Sequence, residues 1–86
     1  MSRRYVYDRI DHLELSRRLD RLGISARELA RASGANEDRV LKWLDGREDI
    51  PPHIDLLTTL WMRVPGVGGE ISDWILATVH DRRVDG

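Results

Sequence analysis

The side chains best suited to chemistry lie in one short stretch of this 86-residue chain, between positions 36 and 42. The stretch offers an amide, two carboxylates, a guanidinium, an ammonium group and one apolar side chain, from Asn36, Glu37, Asp38, Arg39, Leu41 and Lys42. These groups match the edges of nucleic-acid bases, because Lys42 and Arg39 can donate to guanine and Asn36 can bind adenine. Arg39 and Asn36 can also reach phosphate, the two acids can accept from cytosine N4, and the leucine can cover a thymine methyl group.

The sequence patterns of an enzyme are missing. His12, His53 and His80 are scattered, and there is no HExxH motif, nucleophile elbow or paired-carboxylate motif. The glycine-rich run at 65–69 is not followed by Lys-Ser or Lys-Thr, so it does not resemble a phosphate-binding loop. With no cysteine there is neither a disulfide nor a thiolate metal site. We expect no catalysis, no cofactor, no metal and no evident small-molecule effector.

A capping box begins the first of two short helices that position these side chains. Ser25 and Glu28 have the three-residue spacing of such a box, with a hydrophobic staple around it, so a helix begins at Ala26. Gly34 can adopt the left-handed conformation that a tight corner requires. The first helix therefore ends at this glycine.

A second helix is predicted from about Glu37 to Asp45. Asn36 is a good N-cap, and Gly46 closes the segment. Three apolar residues recur at helical spacing and should face the core: Val40, Trp43 and Leu44. The opposite, exposed side of the helix then carries Asp38, Leu41, Lys42 and Asp45.

Two short helices joined by a glycine-containing turn are typical of a helix-turn-helix. Ala30, Gly34, Val40, Trp43, the run 43–47 and the prolines at 51–52 resemble the Cro/C1-type, or xenobiotic-response-element, family of DNA-binding regulators. The resemblance covers about residues 13–63. It implies an all-α, lambda repressor-like domain of five helices. It also implies a bacterial or phage transcriptional regulator, a repressor or autorepressor that binds an inverted repeat in double-stranded DNA as a homodimer.

Similar small proteins include phage control proteins, antitoxins and anti-CRISPR-associated autorepressors, and nothing in these residues separates them. Matched to the family pattern, the positions that approach base edges or the adjoining backbone are Asn36, Glu37, Asp38, Leu41 and Lys42. Backbone amides at the start of the first of the two helices, together with nearby arginines, would bind phosphate and orient the domain. These residues are Ala26, Arg27, Arg31 and Arg47.

The charge is unevenly distributed along the chain. The net charge is only -1, but residues 16–47 contain eight basic and five acidic residues, whereas residues 48–86 contain three basic and seven acidic residues. This asymmetry is expected if one face meets DNA, although ordinary solvation also produces it. Acids at Glu37, Asp38 and Asp45 would oppose phosphate. A protein-interaction module that uses the same scaffold and docks through Leu41 and the last helix is therefore the alternative.

The rest of the chain divides into an N-terminal arm at 1–10, a helix-turn-helix domain at 11–64 and a C-terminal helix at 70–82. The arm carries Tyr5, Val6 and Tyr7 between arginines, and it could be a basic arm, a strand pairing with a second subunit or a frayed terminus. A helix is predicted at 11–22, with Arg17, Arg18 and Arg21 on its outer side. The helix after the prolines should bury Ile54, Leu57, Leu60, Trp61 and Val64.

The last helix carries an apolar stripe after a break at 65–69. This stripe consists of Ile71, Trp74, Ile75, Thr78 and Val79. It can dock on its own domain or on the same helix of a second copy, and a homodimer interface is favoured because the first four helices look able to close a small core. Neither a signal peptide nor an 18-residue apolar run is found, so no membrane partner and a cytoplasmic location are expected.

Overall fold

The computed structural model describes residues 9–79, which form five α-helices and no strand. The helices are α1 (His12–Leu22), α2 (Ala26–Ser33), α3 (Glu37–Leu44), α4 (Pro52–Trp61) and α5 (Val67–Thr78). The all-α class is therefore confirmed. Within the described range, none of the helices has the length and apolarity needed to cross a membrane. Residues 1–8 of the predicted arm and the predicted helix end at 80–82 lie outside the described residues.

The ends of α1 follow from its sequence. The Asp11 carboxylate accepts a hydrogen bond from the Glu14 amide at 2.8 Å, which satisfies one of the unpaired donors of the first turn. Gly23 is left-handed, with φ +73°, and its amide donates to the Leu19 carbonyl at 2.8 Å. The predicted boundaries of this helix are confirmed to within one residue.

The core is a single cluster to which every helix contributes. Its fully buried side chains include Leu15 of α1, Leu29 of α2, Val40 of α3 and Ile54 of α4. Helix α5 packs against α2 and adds two further buried isoleucines. The expectation that the first four helices would close the core alone is therefore corrected, because α5 supplies part of it.

Helix α4 buries a different set of side chains from the predicted one. Ile54 is buried and Leu57 and Trp61 are half-buried as expected, but Leu60 remains 49% exposed, and Val64, which lies beyond the end of α4, is also exposed. Thr58 is completely buried in their place, with its hydroxyl donating to the Ile54 carbonyl at 2.9 Å. The apolar pattern thus predicted the helix correctly but predicted part of its buried face wrongly, since the polar Thr58 belongs to that face.

The burial of Thr58 is explained by Arg18, which donates a hydrogen bond to the Thr58 hydroxyl. Arg18 was predicted on the outer side of α1, as Arg17 and Arg21 were, but its side chain is only 14% exposed, whereas the other two residues are exposed. Its Nε donates to Glu14 at 3.0 Å, and its Nη1 lies 2.9 Å from carboxylate Oδ1 of Asp55 and 2.9 Å from Oγ1 of Thr58. The guanidinium therefore joins α1 to α4 instead of facing solvent.

Helix α5 begins inside the predicted glycine-rich break. Gly66 is left-handed, with φ +77°, and α5 starts at Val67 instead of residue 70. Gly68 packs so closely against the end of α1 that an added Cβ would lie 1.8 Å from the Leu22 carbonyl oxygen. An added Cβ on Gly69 would meet nothing within 4 Å. The first of these two glycines permits a close contact between helices.

Gly68→Ala is expected to lower the free energy of unfolding by about 3 kcal/mol or more, because the added methyl group collides with backbone that cannot move aside. Gly69→Ala is the matched control. It should raise stability by roughly 0.5 to 1 kcal/mol, since alanine favours a helix more than glycine does. Urea denaturation of both variants measures the difference, and equal effects would show that α5 does not approach α1 this closely.

Candidate nucleic-acid interface

Helix α2 begins with the predicted capping box. The Ser25 hydroxyl accepts from the Glu28 amide at 3.1 Å, and the Glu28 carboxylate accepts from the Ser25 amide at 3.0 Å. The second oxygen of Glu28 accepts a hydrogen bond from the Ser72 hydroxyl of α5. This contact was not predicted from the sequence, because it joins residues 44 positions apart. It fixes the start of α2 to the last helix.

The corner between α2 and α3 is built from local hydrogen bonds. Gly34 is left-handed, with φ +83°, and its amide donates to the Ala30 carbonyl at 2.9 Å. The Asn36 side-chain oxygen accepts from the Arg39 amide at 2.8 Å and caps α3. Both features confirm the predicted turn. Asn36 thus uses its oxygen as a cap, which leaves the two donors of its amide group to face solvent.

Helix α3 has one buried and one exposed face. Val40 is completely buried and Trp43 is almost so, whereas Leu41 is 43% exposed. The remaining predicted base-reading residues are all exposed: Asn36, Glu37, Asp38, Arg39 and Lys42. The central prediction about this helix is confirmed, since the tryptophan points inward and the polar residues with one leucine point outward.

The predicted phosphate-binding residues differ from one another in how exposed they are. Arg27 and Arg47 are exposed, whereas Ala26 and Arg31 are half-buried. The Arg47 guanidinium lies 2.7 Å from the Asp45 carboxylate. Two of the arginines are therefore well exposed to an approaching backbone, and one of these two already contacts an acid of the same motif.

Glu48 is an acid of this surface that sequence analysis did not single out. One carboxylate oxygen lies 3.4 Å from Arg39 Nε, and the other lies 4.0 Å from Lys42 Nζ. From residue 26 to residue 48 the chain carries five basic and five acidic residues, so the motif has no net positive charge. The basic excess of residues 16–47 includes arginines of α1, one of which is engaged with α4.

The apolar stripe of α5 is divided between the core and the surface. Ile71 and Ile75 are buried within their own chain, and Val79 is half-buried. This corrects the dimer-interface assignment of the two isoleucines, because their side chains already pack in the core. Trp74 remains 51% exposed and Thr78 is exposed, so these two residues lie on an accessible face.

No known family model, characterised protein or solved structure matches this chain. Among residues 9–79 no group of three or more histidine, aspartate or glutamate side chains is arranged to hold a metal ion. The function is therefore inferred from the chemistry of the exposed surface of α3 and its surroundings.

The network around Glu28 predicts a pH dependence of stability. The hydrogen bond from Ser72, followed by the one from the Ser25 backbone, holds the pKa of the Glu28 carboxyl below its ordinary value. Since the pKa is depressed in the folded state, ionised Glu28 stabilises the fold above roughly pH 4.3, the ordinary value for glutamate. This stabilisation is lost as the pH falls through the folded-state pKa.

Glu28→Gln is therefore expected to lower the free energy of unfolding at about pH 7 and to have a smaller effect at about pH 3, which is below the ordinary pKa of glutamate. Denaturant titrations at both pH values measure this. Glu37→Gln is the matched control, because Glu37 also lies in the first turn of a helix but is exposed. A difference between wild type and Glu28→Gln that stays constant across this range would contradict the assignment.

Proposed function

We propose that this chain is a sequence-specific DNA-binding regulator of transcription, of the Cro/C1-type helix-turn-helix kind, that inserts α3 into the major groove and represses the genes it binds. The observation that carries the proposal is the orientation of α3. Val40 and Trp43 are buried, while Leu41 and Lys42 are exposed on the opposite side. A helix held by its apolar face, with hydrogen-bonding groups on the other, suits reading of base edges.

The exposed groups have distinct roles in this proposal. Lys42 donates to O6 and N7 of guanine, Leu41 covers a thymine methyl group, and Asp38 or Glu37 accepts from cytosine N4. Arg27 and Arg47 contact phosphates on either side of the groove and orient the domain without selecting a sequence. A single exposed leucine on an otherwise polar helix face is common. The proposal therefore depends on the combination of Leu41 with Lys42 and with the capped helix-turn-helix.

The proposal is tested by selection of bound duplexes from a random DNA library. Lys42→Ala should weaken binding by about 1 to 3 kcal/mol and relax the selected sequence at one position, because a base contact is lost. Arg47→Ala should weaken all sequences alike and reduce the dependence of log affinity on log salt by about one unit. Arg63→Ala is the control, since this exposed arginine follows α4 and lies outside the motif. Unchanged binding in the first two variants would overturn the proposal.

A homodimer completes the proposed DNA-bound form. Two copies would place their α3 helices about 34 Å apart in successive major grooves, which fits an inverted repeat. Trp74 supports this association, because a half-exposed tryptophan is costly to leave in water and is a frequent centre of interfaces. The interface we propose therefore uses the Trp74 and Thr78 face of α5, without the buried isoleucines.

Trp74→Glu is expected to convert a dimer into a monomer in sedimentation-velocity experiments while leaving the helical circular-dichroism spectrum unchanged. Leu76→Glu is the matched control. Leu76 is 79% exposed and lies two residues further along α5, about 200° around the helix axis from Trp74. If both variants dissociate equally, or if neither does, the Trp74 face is not the interface.

A protein-interaction module is the second candidate, and the charge balance of the motif favours it. Five acids against five basic residues between positions 26 and 48 weaken the non-specific attraction that most DNA-binding surfaces have. In that case Leu41 and its neighbours would dock a protein partner. Absence of duplex binding at low salt, together with loss of a co-purifying protein on Leu41→Asp substitution, would support this alternative.

A further inference from the structure

The α3–α4 loop brings a carboxylate to the basic side chains of α3. The two oxygens of Glu48 divide between the cations, with one near Arg39 Nε at 3.4 Å and the other near Lys42 Nζ at 4.0 Å. A phosphate oxygen of DNA would compete for the same two groups, because guanidinium and ammonium groups bind carboxylate and phosphate alike. The Glu48 carboxylate thus stands where a ligand anion would bind.

The loop backbone holds Glu48 in this position. Gly46 is left-handed, with φ +80°, and turns the chain back at the end of α3. The amides of Arg47 and Glu48 then both donate to the Lys42 carbonyl, at 2.9 and 3.3 Å. A side chain added at Gly46 would press on the His12 ring, with its Cβ 3.2 Å from Nδ1. The position of the carboxylate is therefore set by backbone geometry as well as by the ion pairs.

We propose that Glu48 determines specificity by acting as an internal competitor at Arg39 and Lys42 for the DNA groups that these two cations bind, whether phosphate oxygens or the acceptors of guanine. Exposed ion pairs of this kind are weak, so a duplex that offers good contacts to both cations displaces the carboxylate. A duplex that offers only backbone charge does not displace it, and the carboxylate that stays in place repels nearby phosphates. Glu48 thus lowers affinity for all DNA but lowers it most for wrong sequences. This inference rests on the proposed function.

The neighbouring acid provides a control of equal charge. The Asp49 carboxylate lies 3.5 Å from Arg9 Nε, and neither cation of α3 is among its ion-pair partners. Glu48→Gln and Asp49→Asn each remove one negative charge at adjacent positions of the same loop. An effect caused by overall charge appears in both variants, whereas an effect caused by competition at Arg39 and Lys42 appears only in the first.

The experiment measures binding of two duplexes, one of mixed sequence and one selected from the random library by the wild-type protein. Glu48→Gln should bind the mixed duplex about 3- to 10-fold more tightly at about 50 mM salt, with a steeper salt dependence because two more cations are available to phosphate. Its preference for the selected duplex should fall. Asp49→Asn should change neither quantity by more than about twofold. Adding Arg39→Ala and Lys42→Ala to Glu48→Gln should abolish the gain.

Elution from heparin-agarose separates failure of this inference from failure of the proposed function. Suppose that Glu48→Gln elutes at higher salt than both wild type and Asp49→Asn but no variant binds duplex DNA. Glu48 then competes with an external polyanion at Arg39 and Lys42, and the gene-regulatory proposal is wrong. If wild type binds a selected duplex but Glu48→Gln behaves like Asp49→Asn on both heparin and DNA, the inference about Glu48 is overturned. Equal elution of all three proteins overturns it whether or not DNA is bound.

Discussion

Helix α3 is held in place by burial of one of its faces against α1 and α2. Val40 and Trp43 are the residues that anchor this face. Because successive residues of a helix are 100° apart, fixing these two side chains inward fixes Leu41 and Lys42 outward. The capped start of α2, the left-handed corner at Gly34 and the Asn36 cap all serve to present α3 at this orientation. Without that packing, an eight-residue helix would be only marginally stable in water.

The surrounding helices hold this motif through contacts of two kinds. Helix α5 packs on α2 through apolar residues and through the Ser72 hydrogen bond to Glu28. Helix α4 is joined to α1 through Arg18, whose guanidinium satisfies oxygens on both helices. Such a polar link specifies where α4 lies more sharply than apolar contact alone, because hydrogen bonds require both distance and direction. Helices α2 and α3 are thus supported on both sides by the helices that precede and follow them.

The motif formed by α2, α3 and the following loop is not a simple basic surface, because its acidic residues balance its basic ones. Asp45 contacts Arg47, and Glu48 contacts Arg39 and Lys42, so most exposed cations near the end of α3 face an acid of the same segment. A surface of this kind attracts polyanions only weakly, because its cations already face acids of the same segment. This arrangement is consistent with the proposed regulator, and it also explains why a protein-interaction use of the same scaffold is the natural competitor.

The sequence alone determined the features that arise from neighbouring residues. The box at Ser25, the corner at Gly34, the cap at Asn36 and the inward face of α3 all depend on residues within a few positions of one another, so their types and spacing were sufficient. Which helices contact one another could not be predicted from the sequence. The tertiary structure buried Arg18 and Thr58 in a polar contact between α1 and α4, and it started α5 three residues early so that Gly68 could touch the end of α1. Both contacts join segments about 40 or more residues apart, so they depend on shapes and partners that no local pattern contains.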